Sequence, residues 1–324
     1  MRDAGKYEEL TVPEGPSPFD RDAISQETEA INRAIIDQLQ DYDPWAQPIA
    51  ETRAMRAAGG GPFPVPPHSE RAVTHEIEGP GGLLQLRIVA PESPRGAYLH
   101  LHGGGWVLGT ADGQDPRLER LADACGLAAV SVNYRLAPEH PFPAAPDDCE
   151  AAALWLVEEA PRRFGTDRLF IGGESAGAHL SAITLLRLRD RHGLTPFAGA
   201  DLISGIYDLT LTPSARNWGS EKLILTTADV ERFIAHFLED RAAPDGPDVS
   251  PLYADLAGLP PALITVGTRD PLLDDSLFMA QRWRAAGNRA ELAVYPGGAH
   301  VFLAFAGRLA RQGAARIDAF LNNA

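Results

Sequence analysis

Residues 169–180 of the sequence read Leu-Phe-Ile-Gly-Gly-Glu-Ser-Ala-Gly-Ala-His-Leu. The apolar residues Leu169–Ile171 predict a buried strand, and an apolar pattern with helical spacing continues to about Arg191. Between the strand and the helix lies the G-x-S-x-G sequence of residues 173–177, whose glycines leave room for a sharp turn of the backbone. This pattern predicts a nucleophile elbow, a strained turn that exposes the hydroxyl of Ser175 above the sheet.

The rest of the chain alternates between predicted strands and predicted helices. Further strands are expected at residues 73–77, 84–89, 97–101, 128–132, 198–203, 261–266 and 291–294. Further helices are expected at residues 24–40, 115–125, 144–159, 274–286 and 304–321. The first two strands flank a Gly-Pro-Gly-Gly turn and are predicted to pair antiparallel. The alternation predicts an α/β fold, with a mostly parallel eight-stranded sheet and helices on both faces.

Two regions depart from this alternation. Residues 1–70 are predicted to form an N-terminal helical cap segment, which ends in the Gly/Pro-rich stretch 59–67. Residues 71–324 then form the main domain, interrupted at about residues 206–258 by an insertion with a helix of its own. Such sheets bind ligands at the carboxyl ends of their strands, so we expect both regions to cover the edge that carries Ser175. A surface insertion without function is the alternative.

The composition excludes several classes of partner. The chain has 324 residues and a net charge of −15, and that acidic balance argues against nucleic acid or an anionic membrane as a partner. The first ten residues lack the apolar core of a signal peptide, so we expect a cytoplasmic protein. In that compartment Cys125 and Cys149 are expected to be reduced, packed thiols.

Three consecutive glycines follow the strand at 97–101, in the sequence His102-Gly103-Gly104-Gly105-Trp106. A carbonyl group attacked by Ser175 develops a negatively charged oxygen, and glycines let backbone N–H groups approach it closely. We predict an oxyanion hole formed by the amides of Gly103, Gly104 and Ala176. A plain glycine turn is the alternative.

A serine nucleophile needs a base, and the base needs a carboxylate to orient it. Serines in such elbows are followed in the chain first by the acid and then by the histidine, which leaves His192, His236 and His300 as candidate bases. We favour His300, which follows the last strand in a glycine-containing loop, whereas the other two histidines are expected at the surface.

Four carboxylates are candidates for the acid. We favour Asp270, which follows the strand at 261–266. Asp208 follows the preceding strand, whereas Asp274 and Asp275 are expected to point along a helix.

Five segments of the sequence occur in the order typical of a known family. They are residues 102–106, the sequence Tyr-Arg-Leu-Ala-Pro-Glu-His-Pro-Phe-Pro-Ala-Ala at 134–145, the elbow, Asp-Pro-Leu at 270–272 and His-Val-Phe at 300–302. Over residues ~75–321 the chain thereby resembles the bacterial branch of the hormone-sensitive-lipase carboxylesterases, α/β hydrolases with a cap. The elbow departs from that family, which usually has Asp or Thr in place of Glu174 and Gly-Asn in place of Ala178-His179.

These departures concern side chains close to the nucleophile. We expect Glu174 to hold the turn through local hydrogen bonds, with a direct catalytic role as the alternative. His179 lies four residues after Ser175 on the same helical face, and we expect a structural hydrogen bonder in preference to a second base. His102 is expected to brace the glycine loop.

The resemblance implies a serine carboxylesterase with the catalytic residues Ser175, Asp270 and His300 and with no metal or cofactor. The expected substrate is a small-molecule ester with a short or medium acyl chain, which the enzyme would hydrolyse through an acyl-enzyme intermediate. Amidase, lactonase or transacylase activity would use the same residues, and a non-catalytic ligand-binding protein on this scaffold is a further alternative. A homodimer through an exposed edge strand, such as residues 291–294, is also compatible with the sequence.

The insertion contains five large apolar side chains with two alternative roles. They line a substrate pocket or form a small core within the cap, and we expect the second role for at least half of them. These residues are Trp218, Leu223, Ile224, Phe233 and Phe237.

Overall fold

A computed structural model describes residues 17–323 of the chain. Its strands are β1 (Val73–Gly79), β2 (Gly82–Val89), β3 (Gly96–Leu101), β4 (Leu127–Val132), β5 (Leu169–Glu174), β6 (Phe197–Ile203), β7 (Ala262–Arg269) and β8 (Ala290–Ala299). Its α-helices are α1 (Gln26–Leu39), α2 (Ile49–Ala57), α3 (Asp115–Cys125), α4 (Ala144–Arg163), α5 (Ala176–His192), α6 (Pro213–Asn217), α7 (Thr227–Leu238), α8 (Leu273–Ala285) and α9 (Arg308–Asn323).

All eight strands join one sheet, in the order β1-β2-β4-β3-β5-β6-β7-β8. The pairs β1–β2 and β2–β4 are antiparallel and the other neighbours are parallel, which confirms the predicted mostly parallel sheet. Strand β5 lies in the middle, so the turn that follows it emerges at the centre of the carboxyl edge. Strand β8 is an edge strand, as expected, whereas dimerisation through it stays a prediction.

The sheet separates two apolar layers, so helices cover both of its faces. On one face α3 and α9 pack with side chains such as Leu118 and Ile317, both fully buried. On the other face α4, α5 and α8 form the larger layer, in which α5 is buried on all sides from Ala176 to Leu188. The thiols of Cys125 and Cys149 are buried, one in each layer.

The chain after β7 differs from its prediction in two places. Strand β8 continues through the glycines to Ala299, where a flexible loop was predicted, because Gly267 and Gly298 let the two backbones approach closely. Helix α9 begins at Arg308, four residues later than predicted, after a 3₁₀ turn at Phe302–Ala304. His300 therefore directly follows the end of a paired strand.

The N-terminal segment and the insertion contact each other above the carboxyl edge of the sheet. The indole N–H of Trp45 donates to Asp229 at 2.7 Å, and the Lys222 ammonium donates to the backbone carbonyls of Gln40 and Tyr42, which follow α1. Asp229 also completes a capping box with Thr226, which fixes the start of α7. The domain boundaries near residues 70, 206 and 258 stay predictions.

Among the helices of residues 17–323, none has both the length and the apolar composition that a bilayer span requires.

Candidate active site

Ser175 occupies a turn that its glycine neighbours make sterically accessible. Its backbone has φ +56° and ψ −120°, a strained conformation for a residue with a side chain. The Ser175 N–H donates to the carbonyl of Ile203 at 2.8 Å, which anchors the turn to β6. A Cβ atom at Gly173 or Gly177 would overlap the carbonyl oxygen of Leu101 on β3. The turn therefore requires glycine at both positions.

The structure brings Ser175, His300 and Asp270 together from three separate strand ends. His300 Nε2 lies 2.9 Å from Ser175 Oγ, and His300 Nδ1 lies 3.0 Å and 3.1 Å from the two carboxylate oxygens of Asp270. Asp270 and His300 are 1% and 2% exposed, and Asp270 also accepts from the backbone N–H of Leu272 at 2.9 Å. The carboxylate holds the ring with Nδ1 protonated, so that Nε2 accepts from the serine hydroxyl.

The alternative acids bond to groups elsewhere. Asp208 accepts from the hydroxyl groups of Thr210 and Tyr253. Asp274 and Asp275 accept backbone N–H groups of the segment after β6, and burial raises the pKa of the Asp275 carboxyl to about 7. Asp270 is the carboxylate that contacts His300.

The alternative bases also lie apart from Ser175. His192 Nε2 is 2.8 Å from a carboxylate oxygen of Glu150, at the far end of α5. The His236 ring stacks on Trp45 in the cap, with centroids 5.5 Å apart. Neither ring forms a hydrogen bond with Ser175, whereas His300 lies within hydrogen-bond distance of it.

The glycine loop changes the predicted set of amide donors. The Gly103 N–H donates to Glu174 Oε1 at 2.7 Å, so this amide already has an acceptor. By contrast, the N–H groups of Gly104 and Ala176 have no acceptor among residues 17–323. Gly104 and Gly105 have φ +117° and φ +61°, conformations that favour glycine. Of the three predicted donors, Gly103 is thus engaged by a carboxylate and two remain available.

Glu174 links the elbow to the glycine loop. Its second carboxylate oxygen lies 3.1 Å from His100 Nε2, and His100 Nδ1 lies 3.0 Å from the hydroxyl of Ser131. Burial by itself raises the pKa of the Glu174 carboxyl, but His100, Arg117 and the Gly103 N–H outweigh it and lower that pKa to about 2. Glu174 is therefore ionised at neutral pH, and both oxygens serve the predicted local hydrogen bonds.

A cavity of about 1150 Å³ opens onto Ser175 and His300. Part of its apolar wall comes from the N-terminal segment and the insertion, including Leu39, Phe63, Ile224 and Phe233. Of the five large apolar residues of the insertion, Ile224 and Phe233 line this cavity. The other three pack in the apolar clusters, and Leu223 and Phe237 are almost fully buried there.

Comparison with known proteins identifies the family. Residues 98–304 match a family described by the alpha/beta hydrolase fold. The carboxylic ester hydrolase LipN of Mycobacterium tuberculosis is 36% identical over 237 residues, which cover 70% of this chain and 63% of LipN, less than two thirds of its length. An esterase of Acinetobacter venetianus is 34% identical over 266 residues, 81% of this chain and 77% of that protein.

Solved structures give the same result. A hyperthermophilic esterase from the archaeon Pyrobaculum calidifontis is 30% identical, with a TM-score of 0.79 over 92% of this chain and 98% of that one. A hormone-sensitive lipase from a metagenome library is 29% identical, with a TM-score of 0.79 over 91% and 97%. The chain belongs to the hormone-sensitive-lipase-like carboxylesterases. The predicted family, fold and enzyme class are confirmed, and the chain is a carboxylic ester hydrolase.

His179, which stands where these carboxylesterases usually have Asn, makes structural contacts. Its Nε2 lies 2.7 Å from the carbonyl of Val249 in the insertion, and its Nδ1 accepts from the Trp106 indole at 3.2 Å. Burial lowers the pKa of His179 to about 4, so the ring is neutral and joins α5 to the cap.

His102 contacts the glycine loop of this esterase from one side. Its Nδ1 lies 2.9 Å from the carbonyl of Gly103, and its ring stacks on Tyr134 with centroids 4.1 Å apart. Burial lowers the pKa of His102 to about 4. These contacts agree with the expected bracing role.

One pair of charged residues in the esterase was missed from the sequence. Arg117 lines the cavity and donates to the fully buried Asp201 at 2.9 Å. The available signal was Asp201 itself, an acid in the middle of the apolar strand β6.

Among the described residues, no three His, Cys, Asp or Glu side chains are grouped in a way that would hold a metal ion.

Proposed function

We propose that this esterase hydrolyses its substrates through a Ser175–His300–Asp270 triad and an acyl-enzyme intermediate. His300 Nε2 removes the proton of Ser175 Oγ as that oxygen attacks the ester carbonyl. The ring then gives this proton to the departing alcohol oxygen, which leaves the acyl group on Ser175. Water, deprotonated by the same nitrogen, attacks the acyl-enzyme and releases the acid. Asp270 orients the ring and stabilises its charged form.

The developing oxyanion is assigned to the amides of Gly104 and Ala176. Both N–H groups are without an acceptor in the described part of the chain, and Ala176 is the first residue of α5. The positive end of the helix dipole adds to the stabilisation of a negative oxygen there. Gly103 is left out because its backbone N–H already donates a hydrogen bond to Glu174.

The observation that carries the proposal is the 2.9 Å contact between His300 Nε2 and Ser175 Oγ. The test is the turnover of 4-nitrophenyl esters by Ser175→Ala, which we expect to be lower by about 10⁵- to 10⁶-fold. Ser181→Ala is the matched control, because the Ser181 hydroxyl on α5 bonds to the carbonyl of Gly177. A Ser175→Ala protein within tenfold of wild type would refute the assignment.

Covalent labelling separates catalysis from mere binding. A fluorophosphonate is expected to modify Ser175 and to leave the Ser175→Ala protein unlabelled, whereas a binding protein on this scaffold would not react. Absence of labelling on the wild-type serine would favour the binding protein.

The substrate is a small-molecule ester, for which we propose a short or medium acyl chain. The resemblance to the family supports this preference, and cap segments form part of the wall of the cavity above Ser175. A series of 4-nitrophenyl esters from acetate to palmitate tests this, with a maximum of kcat/KM expected at or below about eight carbons. A maximum on long-chain emulsified triglycerides would contradict it. The cytoplasmic location remains a prediction.

A further inference from the structure

The cavity wall has a charge balance opposite to that of the whole chain. The chain carries 29 basic and 44 acidic residues. The wall has six cationic and three acidic residues, namely Arg56, Arg117, Arg120, Lys222, Arg232 and Arg311 against Asp43, Glu174 and Asp229. An acidic protein that gathers arginine around its active site has a local preference for negatively charged groups.

Three of these arginines line the cavity from outside the cap segments, in the first half of α3 and on α9. Arg117 and Arg120 lie one turn apart on α3, and Arg311 lies on α9, which packs against α3. We call this region the α3–α9 wall. The other three cations, Arg56, Lys222 and Arg232, belong to the cap segments.

Arg117 is held from behind and presents a donor to the cavity. Its side chain is 16% exposed, and its Nη2 donates to Asp201 at 2.9 Å and to the Tyr98 hydroxyl at 3.4 Å. Asp201 is fully buried, so this acid cannot itself face a ligand. Within the described part of the chain, Nη1 of Arg117 makes no hydrogen bond, and this nitrogen is accessible from outside the protein. The guanidinium is thus oriented before any ligand arrives.

The other charges of this wall leave donors in excess. Arg120 forms an ion pair with Asp318, whereas Arg311 has no ion pair or side-chain hydrogen bond within residues 17–323. Glu174 is the one acid of the cavity on this side, and both of its oxygens already accept, from Gly103 and from His100. A ligand at this wall therefore meets the N–H groups of Arg117 and Arg311 and no free carboxylate oxygen.

We propose that the α3–α9 wall is a subsite for a carboxylate, so that the substrates of this enzyme are esters with a carboxylate remote from the scissile bond. Arginine suits this role because its planar N–H groups match the two oxygens of a carboxylate. The apolar wall under the cap receives the rest of the molecule. This inference rests on the proposed function, since it concerns the substrate of the same serine.

Matched esters test the inference on both sides of the scissile bond. On the acyl side, mono-4-nitrophenyl glutarate and adipate are compared with 4-nitrophenyl pentanoate and hexanoate. On the alcohol side, 4-(butyryloxy)benzoate is compared with phenyl butyrate, with acid release followed by pH-stat. We expect kcat/KM for the charged ester to exceed that of its neutral partner in at least one comparison, and to fall as NaCl is raised from 0.02 to 0.5 M.

Variants of the wall then assign the effect. The Arg311 side chain is exposed. Arg311→Gln is expected to lower kcat/KM for the charged ester about 3- to 10-fold and to change kcat/KM for the neutral ester less than twofold. The double variant Arg117→Gln/Asp201→Asn removes the buried ion pair without leaving an unpaired buried charge. It is expected to lower kcat/KM for the charged ester about tenfold or more. Arg308→Gln, on the same helix but outside the cavity wall, is the control and should change neither rate.

Two results would overturn the subsite. One is a charged-to-neutral ratio that both the Arg311→Gln and the Arg117→Gln/Asp201→Asn proteins leave unchanged. The other is a wild-type enzyme whose kcat/KM for the charged ester is no higher than that for the neutral ester in both comparisons. Either result leaves the serine mechanism standing if neutral esters are cleaved and Ser175→Ala is inactive. A chain that cleaves neither set contradicts both proposals.

Discussion

Replacement of Glu174 tests how the esterase positions its oxyanion donors. The Glu174 carboxylate accepts the Gly103 N–H at 2.7 Å and contacts His100 at 3.1 Å, and thereby fixes the loop that carries the Gly104 amide. Glu174→Ala removes both contacts and leaves a buried N–H without a partner. Glu174→Gln keeps an oxygen for Gly103 and offers an N–H to His100, so it preserves the geometry and removes only the charge.

The size of the effect follows from the bonds that are lost. A hydrogen bond to a charged acceptor stabilises its geometry by about 1.5–3 kcal/mol. If the displaced loop loses that amount in the transition state, turnover falls by about 10- to 150-fold, because each 1.36 kcal/mol is a factor of ten. We expect kcat of Glu174→Ala to fall within this range with little change in KM, since the oxyanion forms after binding. Glu174→Gln is expected to stay within about fivefold of wild type.

The assay is steady-state hydrolysis of 4-nitrophenyl butyrate by the wild type, Glu174→Ala and Glu174→Gln, with thermal unfolding measured alongside. The unfolding data separate a displaced loop from a protein that no longer folds. Two outcomes refute the reasoning: a folded Glu174→Ala protein with kcat within twofold of wild type, or equal losses for the alanine and glutamine variants. The second outcome would assign the effect to charge and not to the position of the loop.

Three further expectations follow from the same geometry. Gly177→Ala should abolish soluble, folded enzyme, because its Cβ would overlap the Leu101 carbonyl; normal yield and activity would contradict this. Asp270→Asn should fold normally but lose about 10³- to 10⁴-fold in kcat, and a loss below tenfold would remove Asp270 from the triad. Burial lowers the pKa values of His102 and His179 to about 4, from about 6.5 in the unfolded chain, so protonation favours unfolding and stability should fall as the pH drops from 6.5 to 4. His179→Asn should weaken that dependence in urea unfolding at pH 7.5 and 4.5, and an unchanged dependence would contradict the role of His179.

The order of strands and helices was predictable because each element carries its own periodicity. Strand β5 and the first turn of α5 followed from the apolar residues and glycines around Ser175, and the antiparallel pair β1–β2 followed from the turn between them. The length of β8 was not predictable from local pattern. Its glycines resemble a loop in sequence, and only the close approach of Gly267 and Gly298 shows why a strand forms there.

The sequence alone determined the family, the fold class and the residues Ser175, Asp270 and His300 as candidates, because these depend on residue types in a fixed order along the chain. Only the tertiary structure decided that the Gly103 N–H donates to Glu174 and that Arg117 donates to Asp201 at the wall of the cavity. These contacts join residues 71 and 84 positions apart. A hydrogen bond depends on distance and direction in space, and spacing along the chain does not specify either for segments that meet only after folding.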